Sequence, residues 1–419
     1  MGGLLLFEES SLLNRSEVPY LPMHQTMMAS QLFGNANVNL KILRERAFNL
    51  RWASVPEGVI PLTAADPDFP CAEPIRDAIQ KFTSSGYFCY SPPEGYGFFK
   101  ESISRFFKNK RNINYDPANI LPVDSAAAGI FMTCQAFLKP GDEAIVFDPI
   151  DFLFRHSIEA IGAKAVPFAV PLSPDGLMNF QHLDLLVGPS TKMICVCNPL
   201  NPTGKVLTKA ELQELANFAQ KHNLIILSDE IWSDIVFSPA EFTSIAAISN
   251  DAFNRTITIT GYSKSYGLAG LRVGAVMAPD PEKFKMILTS SGHESTVHGC
   301  NSLGQVAAAA ALDKCSEWLE SFKEHLFAMR NLTVNELNQI PGITCPSPDG
   351  CYLVFPDIRK TGFTPVELQE KLLKEAKVAI VPGLPRWFGD MADGHIRLCF
   401  STSEEILSEA LFRIKACLS

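Results

Sequence analysis

The chain has 419 residues, of which 47% are hydrophobic and 19% charged, enough apolar material for one large core or two smaller ones. Its formal net charge of −9 disfavours nucleic acid or an anionic membrane as the main partner, and no apolar run approaches the roughly 18 residues that span a bilayer. Eleven dispersed cysteines without a CxxC pair read as free thiols in a reducing cytosol, so a cytoplasmic location and no metal centre are expected.

The first 45 residues mix Met, Leu, Ser and Asn without periodicity and are expected to form an arm, partly ordered at best. The opening MGGLLLFEESSLLNRSEVPY lacks the basic start of a secretory signal, and Leu6 stands where a myristoylation pattern needs Ser or Thr. From about 117 to 275 strands alternate with helices. EAIVFDP (143–149), KMICVCNP (192–199), NLIILSDE (223–230) and RTITITGYSK (255–264) each begin with an apolar or β-branched run. SAAAGIFMTCQAFLKPG (125–141) and TKAELQELANFAQKHN (208–223) read as helices. The second puts Leu212, Leu215, Phe218 and Ala219 on one face and opens with a Thr208–Glu211 capping box. This alternation predicts an α/β fold with a mostly parallel sheet flanked by helices. Further on, DGCYLVFPDI (349–358) and HIRLCFS (395–401) read as strands, and TPVELQEKLLKEAK (364–377) and SEEILSEALFRIKACL (403–418) as the helices covering them. The expected division is an arm over 1–45, a small α+β domain from 46–85 and 310–419, and a large domain over 86–309.

Asp148, Asn198, Asp229 and Lys264 each lie just past the carboxyl end of an apolar strand, where parallel sheets open their ligand crevice. One such residue alone is more often a turn or a cap. Several at one sheet edge, with a lysine and an arginine among them, point to a site. A carboxylate at Asp229, after LIIL, needs a cationic or N–H partner. Lys264, among the small residues of SKSYGLAGLRVG (263–274), can be desolvated into an amine that attacks a carbonyl. The fork of Arg272 suits phosphate or carboxylate, and Ser125 opens a predicted helix whose first amides can hold an anion. Together these residues describe a pyridoxal phosphate site, with the lysine on the carbonyl, the acid on the ring nitrogen, and the arginine, serine and helix start on the phosphate.

NPLNPTGKV (198–206), SDEIWSDIVF (228–237), SKSYGLAGLRVG (263–274) and HIRLCFS (395–401) resemble, in order, the motifs of fold-type I pyridoxal-phosphate enzymes of the class I/II aminotransferase superfamily. The resemblance runs from about residue 45 to the end. It implies that Lys264 is the Schiff-base lysine and proton shuttle, that Asp229 pairs with the ring nitrogen, and that Asn201 donates to the phenolic oxygen. Ser125, Ala126, Ala127, Ser263 and Arg272 would hold the phosphate. Tyr90 in CYSPPEG would reach the phosphate of a neighbouring subunit, which implies a homodimer with shared active sites. Arg397 would clamp the substrate α-carboxylate, with Ala65 of AADPDF (64–69) and Asn201 beside the substrate. Three positions depart from the pattern. Trp232 stands where many relatives carry tyrosine. Asp151 in DPIDFLF takes the place of the ring that stacks on the cofactor, leaving Phe152 for that role. Gly261 replaces a phosphate-binding serine.

The implied reaction moves an amino group from an amino acid to a 2-oxo acid. AADPDF also resembles the carbon–sulfur β-lyase branch, so β-elimination from cystathionine-like substrates is the competing chemistry. A cofactor-free interaction protein is the reading from outside enzymology, and retention of the lysine, aspartate, asparagine and both arginines opposes it.

Overall fold

The computed structural model describes residue 29 and residues 31–418, so positions 1–28 of the expected arm lie outside the described residues. In chain order its strands are β1 (Ile60–Pro61), β2 (Ile120–Val123), β3 (Glu143–Asp148), β4 (Lys164–Ala169), β5 (Thr191–Cys197) and β6 (Ile225–Asp229). They continue with β7 (Thr256–Gly261), β8 (Gly274–Met277), β9 (Leu353–Val354), β10 (Val378–Ala379), β11 (Val381–Pro382) and β12 (Ile396–Cys399).

Strands β2 to β8 form one seven-stranded sheet in the order β2-β8-β7-β6-β5-β3-β4. Pairing is parallel throughout except at β8, which runs antiparallel to both of its neighbours. The predicted mostly parallel α/β sheet is therefore present, with one reversed strand added. Burial explains the sequence texture: β5 is covered on both faces from Met193 to Cys197, so it reads as a continuous apolar run rather than an alternation. Helices Ala126–Phe137 and Lys209–Lys221 pack on this sheet. The second buries Leu212, Leu215, Phe218 and Ala219, and its Thr208–Glu211 capping box is formed. The strand order reverses at β3, with β4 on one side and β5 on the other. Ligand crevices open at such points, and the loops after β3 and β5 carry Asp151 and Asn201.

A second, antiparallel sheet has the order β11-β12-β9, and β1 pairs in parallel with β10 through Ile60 and Val378. The stretch read as one helix over 364–377 is Pro365–Lys371 followed by a single π turn at Leu372–Ala376. The described end of the expected arm is packed: Asn35–Asn37 and Leu40–Arg46 are helical, and Phe33 is 1% exposed. Its ring lies among Phe69, Trp318, Phe322 and His325. One aromatic side chain at a seam between distant segments fixes this stretch, and periodicity does not reveal such an anchor.

Candidate active site

The carboxyl ends of β2, β3, β5, β6 and β7 share one edge of the large sheet. At the β2 end, Ser125 caps the helix Ala126–Phe137, its Oγ accepting the Ala128 N–H at 3.0 Å. Ala126 and Ala127 supply first-turn N–H groups, which have no acceptor within a helix. The start of β8 runs so close that a Cβ at Gly274 would lie 2.9 Å from Ala126 N and 2.7 Å from Thr260 O. Arg272, with left-handed backbone at φ 47°, touches Ala269 O at 3.5 Å and pairs with no carboxylate among the described residues. Ser263 begins the short helix Ser263–Tyr266 that carries Lys264. A Cβ at Gly261 would sit 3.2 Å from Ile231 Cδ1 and 3.4 Å from Ala126 Cβ, so packing accounts for the missing serine. Unclaimed amides, an unpaired guanidinium and a Cβ-free wall fit a phosphate.

Asp229 ends β6 and is buried. Burial pushes its carboxyl up to about 7; the Ile231 N–H, 3.1 Å away, and Lys264 oppose this, while the Asp151 charge adds to it. A buried acid so poorly supplied with donors fits a cofactor that brings its own protonated ring nitrogen. Lys264 donates from Nζ to the Ala65 carbonyl at 2.7 Å and lies 5.5 Å from the centre of the Trp232 ring. Burial holds its amine below the usual lysine range; Asp66 opposes, Arg397 assists and Asp151 opposes. Trp232 is buried edge-on to Tyr352 at 4.6 Å, and the Tyr352 hydroxyl donates to the same Ala65 carbonyl at 3.3 Å.

Arg397, on β12, donates from Nη1 to Asn201 Oδ1 at 3.0 Å and from Nη2 to Thr63 O at 3.4 Å. Its Nε is buried without a partner, and burial lowers its proton affinity. Asn201 Nδ2 in turn donates to Asp151 Oδ2 at 2.8 Å, giving a carboxylate–amide–guanidinium chain. The loop over 62–69 is pinned from behind. Buried Arg51 pairs with Asp68 and donates to Pro61 O at 3.0 Å and Ala64 O at 3.3 Å, while Trp52 Nε1 reaches Asp68 at 2.8 Å.

The surroundings of Phe152, Tyr90 and Asn198 differ from one another. Phe152 lies against His156 and Trp387, with ring centres 5.0 and 5.4 Å away. Tyr90 is 89% exposed beside His298, on the surface of this chain. Asn198 is structural: it donates to Thr243 O at 3.2 Å and accepts the Leu207 N–H at 2.9 Å. Sequence reasoning passed over Asp66 and Tyr352. Asp66 sits inside the AADPDF motif and was legible there, whereas nothing local distinguishes Tyr352 from a core aromatic.

Among the described residues, no helix is long and apolar enough to cross a membrane, and no cluster of three or more His, Cys, Asp or Glu could hold a metal. The family model for aminotransferases of class I and II matches residues 57–414. Aromatic-amino-acid aminotransferase 2 of Thermococcus litoralis is 32% identical over 365 residues, covering 86% of this chain and 92% of that one. The aspartate aminotransferase of Pyrococcus abyssi is 32% identical over 363 residues, with coverage of 86% and 92%. A PLP-bound solved structure from Clostridium difficile 630 superposes with a TM-score of 0.81 at 25% identity, covering 92% of this chain and 96% of its own.

Proposed function

The chain belongs to the class I and II aminotransferases, and from that premise we propose which of its residues hold the cofactor, move the proton and bind the substrate. It is a pyridoxal-phosphate-dependent enzyme that passes an amino group from an amino acid to a 2-oxo acid. Bound pyridoxal phosphate supplies an electron-accepting ring that acidifies the substrate's Cα–H.

Lys264 would hold the cofactor through its carbonyl carbon, and the lysine's Nζ would take the substrate's α-proton. An amine kept below the usual lysine range by burial is suited to that task. The Ala65 carbonyl gives the freed Nζ a resting place. Asp229 would pair with the ring nitrogen, Asn201 with the phenolic oxygen, and Ser125, Ala126, Ala127, Ser263 and Arg272 with the phosphate. Trp232 packs beside Lys264, and Phe152 borders the ring. Arg397 would clamp the α-carboxylate; its buried guanidinium at the crevice, bonded to the Asn201 amide and pairing with no carboxylate among the described residues, is the observation that carries this reading, and its Nε has acceptor demand left over.

A homodimer follows as part of the same proposal. Tyr87, Phe88 and Tyr90 are 76%, 68% and 89% exposed, a run of aromatics suited to a partner subunit. The β1–β10 pairing supports grouping 46–85 with 310–419 as one unit beside 86–309. The cysteines from Cys71 to Cys417 are free thiols, which supports a cytoplasmic location.

Borohydride reduction followed by peptide mapping should place the cofactor's mass on Lys264. A single turnover with amino acid and no oxo acid should give one 2-oxo acid per cofactor and no ammonia. Pyruvate, ammonia and a thiol released from cystathionine would establish β-elimination instead.

A further inference from the structure

The electrostatic environment of the site comprises two cations, Lys264 and Arg397, and three carboxylates, Asp66, Asp151 and Asp229. The assignments above commit Asp229 to the ring nitrogen, Lys264 to the cofactor's carbonyl carbon and Arg397 to the α-carboxylate. Asp66 and Asp151 stay uncommitted.

Asp151 is hydrogen-bonded to Arg397 by way of the Asn201 amide, and its charge also acts on Arg397 and Lys264 through space. Its Oδ2 accepts Asn201 Nδ2 at 2.8 Å and its Oδ1 accepts the Leu153 N–H at 3.3 Å, so each oxygen retains acceptor capacity. The half-buried carboxylate of Asp66 accepts no hydrogen bond from the described residues, and both Lys264 and Arg51 act on it through space. Arg51 is already taken by Asp68, Pro61 O and Ala64 O. The Arg397 guanidinium, to which the reading above assigns the ligand carboxylate, lies one amide away from Asp151. With that carboxylate in place, the charges left over are Asp151, bonded to the amide that Arg397 holds, and Asp66, whose carboxyl burial pushes up while Lys264 and Arg51 oppose. A side chain of opposite sign gains there, and one of like sign is repelled.

We propose that the site selects amino acids with a cationic side chain, ammonium or guanidinium, and turns away dicarboxylic ones, with Asp151 and Asp66 as the specificity-determining residues. The proposal rests on the assignment of Arg397 to the α-carboxylate.

The test compares side chains of similar length and different charge: L-lysine, L-norleucine and L-2-aminoadipate, with L-arginine against L-citrulline for a longer reach. Calorimetry on cofactor-loaded Lys264→Ala gives affinities without turnover, and kcat/KM of the wild-type holoenzyme gives a second reading. Each cationic ligand should exceed its neutral counterpart roughly tenfold or more, with 2-aminoadipate weakest. Asp151→Asn and Asp66→Asn should each shrink the lysine-to-norleucine ratio. A flat series, or a preference for 2-aminoadipate, overturns the proposal. Ratios unchanged in both variants overturn the assignment to these carboxylates. Cadaverine, which lacks the α-carboxylate, separates the two failures: binding equal to lysine overturns the role of Arg397, while the lysine–norleucine comparison still reports on side-chain charge.

Discussion

Asp148 and Asp229 occupy equivalent places, each the last residue of a parallel strand, and in both burial raises the proton affinity of the carboxyl. Their partners differ. Asp148 accepts the Asp390 and Met391 N–H groups at 3.1 and 3.2 Å and ties that turn to the end of β3. The fit is close enough that a Cβ at Gly389, where φ is 101°, would collide with the Asp148 carboxylate. Asp229 accepts a single hydrogen bond among the described residues, from Ile231. A strand-end carboxylate is therefore structural when backbone amides satisfy it and available for chemistry when they do not.

Substitutions at the two positions should split along that line. Asp229→Asn should slow α-proton exchange roughly a hundredfold or more, as removal of a preorganised charge does, with little loss of folding stability. An exchange rate equal to wild type would reject the ring-nitrogen assignment. The contrast extends to Arg397, whose open Nε places it with Asp229. Arg397→Lys should raise KM roughly tenfold to a hundredfold in steady-state assays and change kcat less, because a point charge cannot supply two parallel N–H groups. Asp148→Asn should leave proton exchange within a few-fold of wild type and lower stability by about 1–3 kcal/mol in denaturant melts, since an amide meets two N–H donors with only one acceptor atom.

The smallest effect concerns pH. The folded-state carboxyl of Asp229 sits near 7, above its ordinary 3.8, so its contribution to apoprotein stability is complete below 3.8 and is lost as pH rises through about 7. Glu230, also buried and pushed up to about 7, contributes in the same direction. Apoprotein melting temperature should therefore fall across that window, and Asp229→Asn should flatten part of the fall. Saturation with pyridoxal phosphate should remove the Asp229 share, since a ring N–H favours the ionised form. An identical slope in the loaded protein would count against the pairing.

Much of this was legible in the sequence, and the boundary has a physical cause. Lys264 and Asp229 follow apolar runs, Arg272 closes the glycine-rich stretch after Lys264, and Ser125 opens a predicted helix, and all of these are local signals. The Thr208–Glu211 capping box is equally local. The difference between Asp148 and Asp229 was not legible, because the amides that satisfy Asp148 come from residues 390 and 391. The buried Arg51–Asp68 pair, the reversed direction of β8, the packing of Phe33 and the Tyr352 hydroxyl likewise depend on contacts between segments distant in the chain. The same limit applies to Trp232: its motif marked it as a substitution, and only its edge-on contact with Tyr352 shows what it packs against.

The pairing of β1 with β10 has a consequence for the order in which the protein becomes competent during synthesis. The residues of the same chain proposed for the phosphate and ring leave the ribosome between Ser125 and Arg272, and Tyr90, proposed for a neighbouring subunit's phosphate, leaves before them. The loop over 62–69 emerges earlier still, yet the strand that secures its start, at Val378–Ala379, and the Arg397 that bonds to Thr63 O emerge near the end. Closing so long a loop is slow relative to local pairing. A nascent chain stalled before Arg397 appears thus has its full set of proposed cofactor ligands and lacks the proposed substrate clamp.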